Sequence, residues 1–170
     1  MKALFILLLA ASSFGQSIQE RVNQFDKPKD YEVTYDKFQK VTSVEYRTSI
    51  KSSKSPKGFI ASKQAYFIAI MSIPDKDPPS MSWFLADVGG LLSDETLRIL
   101  ADGDLLESEQ ATGMDRSAIF PITATQMDKI VKAKIVEFQL FLFEGKFDAA
   151  TLTALKNLAS LTKPEPPRQP

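Results

Sequence analysis

Ten carboxylates crowd the middle of the chain: Asp75, Asp77, Asp87, Asp94, Glu95, Asp102, Asp104, Glu107, Glu109 and Asp115, with only Lys76 and Arg98 to oppose them between residues 75 and 115. Side chains of this type support two chemistries. Calcium takes about six to eight oxygen ligands, and Asp75-Lys76-Asp77 and Asp102-Gly103-Asp104 are the pairs spaced to contribute. Neither pair runs on into a full calcium-binding loop, so solvated loops and turn chemistry are the favoured account of them. The enzymatic counterpart is a glycosidase-like pair of acids about 5–9 Å apart across a cleft. Nothing in the sequence selects which two acids would cooperate.

A basic group precedes the acids. Arg47, Lys51, Lys54, Lys57 and Lys63 surround one polar loop, with Glu45 as the nearby opposing charge. Such a cluster steers a protein toward anionic lipid, cell-wall polymer or an acidic partner, or else is simply a solvated loop. With bases early and acids later, the charge is separated along the chain, which predicts head-to-tail self-association weakened by salt. Ser52, Ser53 and Ser55 lie beside Lys54, but a serine–lysine dyad needs a desolvated lysine, and a polar loop supplies the reverse. Trp83, with Met81 and Pro78-Pro79 nearby, is a candidate anchor for a partner peptide or a sugar, set against the alternative that a lone strand tryptophan belongs to the core.

What is missing narrows the chemistry further. The chain has no histidine and no cysteine. The usual zinc, copper and haem ligand sets cannot be assembled, and Ser-His-Asp, Cys-His and imidazole-base mechanisms are closed. No cofactor is expected. A catalyst here would have to use carboxylates, hydroxyls, lysine or arginine.

The first residues read as a targeting segment. Lys2 provides the positive end, Ala3 to Ala11 the apolar run, and Ser13-Phe14-Gly15 a cleavage pattern that makes Gln16 the first mature residue. The run falls short of the ~20 apolar residues that span a bilayer, and no later stretch is long enough. This predicts export by a Sec-type signal peptide to the periplasm or the extracellular space. With no cysteine after the signal, attachment through a lipidated cysteine is not expected. The formal charge is zero, and loss of Lys2 leaves 20 basic against 21 acidic residues, a balance unlike that of a nucleic-acid binder.

These side chains need elements to carry them. Ser17-Ile18-Gln19-Glu20 has the form of a capping box before Val22 and Phe25, predicting a short helix that ends before Pro28. Tyr31 to Phe38 alternates in part, Val44 to Ile50 clearly, and Ala65 to Met71 is apolar on both faces, the mark of a central strand. Shorter strands are expected at 82–88, around Asp102-Gly103 as a type I′ hairpin, and at 118–120. Thr123 with Gln126 is a second capping box, opening a helix over 124–133. Residues 133–144, β-branched and aromatic without glycine or proline, read as one long interior strand, beside which the 65–71 strand would lie. A turn is expected at 144–147, and Asp148 caps a last helix with Leu152, Leu155, Leu158 and Leu161 on one stripe.

The order predicts an α+β fold: a mostly antiparallel sheet of about six to seven strands, two late helices on one face, and a short N-terminal helix. The divisions are a signal peptide over 1–15, an N-terminal segment over 16–30, a single domain over 31–161 and a Pro-rich tail over 162–170. The function expected is non-catalytic binding of a protein or envelope component. A carboxylate-based hydrolase is the alternative. A structural protein pairing through a strand edge, sought at 42–50 or 117–122, is the third reading.

Overall fold

The fold comes from a computed structural model, which describes residues 17–51, 64–86, 96–106, 112–114, 117–140 and 143–162. The expected signal peptide over 1–15, Lys54, Lys57, the serines beside Lys54 and the expected tail after Thr162 lie outside these residues.

A large antiparallel sheet begins with a hairpin. Strands β1 (Tyr31–Asp36) and β2 (Val41–Lys51) are joined by a turn in which Asp36 Oδ1 accepts hydrogen bonds from Phe38 N at 2.8 Å and Gln39 N at 3.1 Å. Lys40 completes it at φ 55°. Next come β3 (Gln64–Pro74) and β4 (Ser80–Ala86), with β7 (Thr112–Met114) and β8 (Ser117–Ile122) at the far side. The order is β1-β2-β3-β4-β8-β7, every pairing antiparallel. One face, carrying Val44, Tyr46, Phe67, Ala69, Met71, Trp83, Leu85 and Phe120, is buried. The alternation read in residues 44–50 is therefore real, and Ala65 to Met71 is central.

A second sheet holds β5 (Arg98–Ala101), β6 (Asp104–Leu106), β9 (Val136–Leu140) and β10 (Phe143–Lys146), in the order β10-β9-β5-β6. Asp102 (φ 51°) and Gly103 (φ 92°) form the two-residue β5–β6 turn with positive φ at both positions, as a type I′ hairpin requires. Here the sequence reading needs correction. Residues 133–144 are not one strand: Phe143 pairs back on Leu140 and Gly145 on Phe138, so the direction reverses between Leu140 and Phe143, and residues 144–146 continue a strand where a turn was expected. The cause is local packing. Gly145 faces the Phe138 ring and has no side chain to displace it. The ring in turn lies between Phe143 and Phe147, at 6.0 and 5.1 Å. The 65–71 strand also does not adjoin this segment; it belongs to the other sheet. Among the described residues ten strands in two sheets replace the six or seven expected in one.

The helices follow their caps. In α2 (Ala124–Lys132), Thr123 Oγ1 accepts from Gln126 N at 3.2 Å while Gln126 Oε1 accepts from Thr123 N at 2.8 Å, the predicted reciprocal box. In α3 (Ala149–Ser160), Asp148 Oδ1 accepts from Thr151 N at 2.7 Å, and the leucine stripe is buried. α3 rests on β2 and β3, and α2 packs chiefly against α3. Residues 17–22 form α1, with Ile18 and Val22 buried. Its Arg21 donates to the carbonyls of Ser160 (2.7 Å) and Leu161 (3.3 Å), capping the end of α3 where the helix dipole is negative.

Phe147 joins the layers. Its ring centroid lies 4.8 Å from Phe67, 5.3 Å from Trp83 and 5.1 Å from Phe138. Aromatic pairs at such spacing add about 0.5–1.5 kcal/mol each beyond the area they bury. The two sheets and three helices thus share one continuous core.

Candidate functional site

The residues singled out from the sequence do not converge. Arg47 and Lys51 are exposed on β2, and Arg47 is committed to Glu45 at 3.0 Å. Trp83 is fully buried between Phe67 and Phe147, which withdraws it as a partner anchor. Among the described residues its indole Nε1 has no hydrogen-bond partner, and neither has the buried Thr42 Oγ1. The strands searched for an open edge, β2 and β8, are interior; β1 and β7 border the large sheet.

The acids are likewise dispersed. Asp75 and Asp77 lie in the β3–β4 loop, whereas Asp102 and Asp104 belong to the β5–β6 hairpin of the other sheet. Asp102 Oδ1 accepts from Ile135 N at 2.8 Å and Lys134 N at 3.0 Å, so this carboxylate clamps the segment leaving α2. Those backbone donors, Ile135 first, hold its pKa below the usual carboxylate range. Asp148 is lowered in the same way, chiefly by the Thr151 N–H. Among the described residues no group of three or more acids is placed to hold a metal ion.

A different site emerges at the end of the large sheet. Cross-strand register aligns Met71, Met81 and Ile122 in one row on the core face of β3, β4 and β8. Pro78 and Pro79 wall this row on the loop side. From above, α2 contributes Met127 and Val131, one helical turn apart, and α3 contributes Lys156, Ala159 and Ser160. The result is an open groove of about 620 Å³, inside the ~300–1,000 Å³ range of ligand sites. Met71 and Met81 form its floor and Met127 faces them from α2, and unbranched thioether side chains adapt to irregular apolar ligands. Its rim is basic. Lys132 pairs with Asp128 at 2.6 Å, while Lys156 has no carboxylate partner among the described residues.

Pro78, Pro79 and Met81 had been noted around Trp83, so the neighbourhood was legible while its centre was misplaced. The period of two decides the matter: Trp83 shares the core face with Met81 but lies one residue pair deeper along β4, under Phe147 rather than beneath the helices. Met71, Met127 and Lys156 gave no signal, because only the register and helix docking bring them to Met81.

A second, shallower hollow of about 460 Å³ lies on the outward face of the small sheet. Glu137 and Glu144 reach it from adjacent strands together with Arg98 and Gln139, whose Nε2 donates to Glu144 Oε1 at 3.3 Å. Comparisons of the chain with protein-family models, curated proteins and solved structures returned no match.

Proposed function

We propose that the chain is an exported, non-catalytic binding domain, and that the groove between α2, α3 and the β3–β4 end of the large sheet holds its ligand. The observation that carries this reading is the combination of three groove methionines with Lys156 at the rim, which has no carboxylate partner among the described residues. That combination favours an elongated ligand with an apolar body and one acidic end. An apolar segment of a partner protein ending in a carboxylate has this form, as does an acyl chain from the envelope. The apolar body is driven in by burial at roughly 25 cal/mol per Å², and the lysine fixes which end lies outward. The N-terminal targeting segment is the basis for placing the protein outside the cytoplasm.

The test is titration of the full mature protein with a fluorescent long-chain fatty acid and, separately, with a leucine-rich peptide ending in a free carboxylate. Val131→Glu and Lys156→Glu should each weaken binding by about tenfold or more, equivalent to ~1.4 kcal/mol. Failure of both probes to bind, or indifference to both substitutions, overturns the reading. A carboxylate hydrolase remains the second reading, supported by the Glu137–Glu144 placement. It predicts glycoside turnover that disappears in Glu144→Gln.

A further inference from the structure

The outward face of the large sheet carries a group of apolar residues across β3, β4 and β8, where a solvent-facing surface should be polar. Ile68 is only 9% exposed there, and among the described residues it is the one buried apolar side chain that does not belong to the main core cluster. Register places Arg47, Ile68, Phe84 and Ile119 in one row across β2, β3, β4 and β8, with Glu45, Ile70, Ser82 and Pro121 in the row beside it. Tyr66 and Ile119 on this face are 49% and 47% exposed. Isolated apolar residues at a surface need no explanation, but a contiguous field of them marks an interface.

The charges beside this field identify the occupant. On the outward face of β1 and β2, Asp36, Glu32 and Glu45 lie toward one end, and Arg47 and Lys51 lie toward the other. We infer that a second copy of this chain covers the face, forming an isologous dimer about a twofold axis that runs in the interface, across the strands, between the Glu45 and Arg47 rows. That axis reverses the strand direction while keeping β2 over β2. Arg47 then faces the partner's Glu45, Lys51 faces the partner's Asp36, and Ile68 packs on the partner's Ile70. An axis along the strands would instead carry each charged margin away from its complement. Charge complementarity therefore selects one arrangement.

The size of the face sets the strength. Five strands about 4.8 Å apart and roughly seven residues long at ~3.3 Å each present a projected face near 550 Å², hence about 1,100 Å² for both copies. This is the low end for specific interfaces, so the dimer forms reversibly and dissociates on dilution.

Sedimentation velocity on the full mature chain across a wide concentration range tests this. The wild type should pass from monomer to dimer, and Ile119→Lys should move the midpoint up by at least about tenfold. Arg47→Glu and Glu45→Arg should each weaken self-association, yet the two variants mixed together should form a heterodimer more readily than either alone. That last result separates face-to-face pairing from any loss of the Arg47–Glu45 pair within one chain, which mixing cannot restore. Circular dichroism checks that the variants fold. A wild type that stays monomeric throughout, an Ile119→Lys variant that dimerises as well as wild type, or a mixture with no preference for heterodimers would overturn the inference.

Discussion

Replacing Gly145 by alanine probes the packing that divides residues 133–146 into two strands. The backbone at Gly145 lies outside the left-handed region, so alanine meets no φ penalty there. Its Cβ, however, would stand 2.6 Å from Phe138 Cε1, well inside van der Waals contact. Phe138 cannot step aside, because it is 3% exposed and flanked by Phe143 and Phe147. Overpacking of this kind costs about 1–3 kcal/mol. Alanine returns up to about 1 kcal/mol by restricting the unfolded chain, leaving a net loss of about 1–2 kcal/mol. For a domain of this size that lowers the Tm by roughly 2–8 °C. Urea unfolding should show a lower midpoint with an unchanged slope. Phe138→Leu combined with Gly145→Ala should cost less than the two single changes added together, since the shorter side chain vacates the contested space. A Gly145→Ala variant as stable as wild type would refute the argument that the Phe138 ring requires a bare backbone opposite it.

Two further outcomes follow from the buried and capped residues. Asp102 and Asp148 both have folded-state pKa values lowered by backbone N–H donors. The stability they contribute is therefore fully present above the unfolded carboxylate pKa, ~3.9, and is lost as the pH falls through their folded values. Asp148→Asn keeps a cap but removes one titrating group, so acid unfolding should become less steep; an unchanged pH profile would argue against the cap's ionic character. Trp83 is the sole tryptophan and is fully buried. Its emission should be blue-shifted and closed to iodide until global unfolding, and quenching in the native protein would contradict its place under Phe147.

Local chemistry was read well from the sequence because its causes are local. Asp102-Gly103, the Thr123–Gln126 box and the Asp148 cap each depend on residues no more than three apart, and each has the geometry its residue types dictate. Residues 133–144 misled for the opposite reason. Apolar residues continue from β9 to Phe143 and no glycine or proline lies between them, so the pattern resembles one continuous strand. The division into two sheets and the groove itself were not legible, because they rest on pairings such as Met81 with Ile122 and on helix docking between residues far apart in the chain. The strand edges were misassigned similarly: alternation reveals a buried face but says nothing about neighbours.

The Arg21 clasp on the last turn of α3 bears on the order in which the molecule can be completed. Its two halves are separated by 139 and 140 residues. During synthesis α1 thus waits for a helix made about 140 residues later, and until then Ile18 and Val22 have no finished core to enter. A chain built this way stays open at α1 until α3 is in place. It also means that loss of α3 removes the partner of Arg21 and opens the packing around α1, although α1 itself is unchanged.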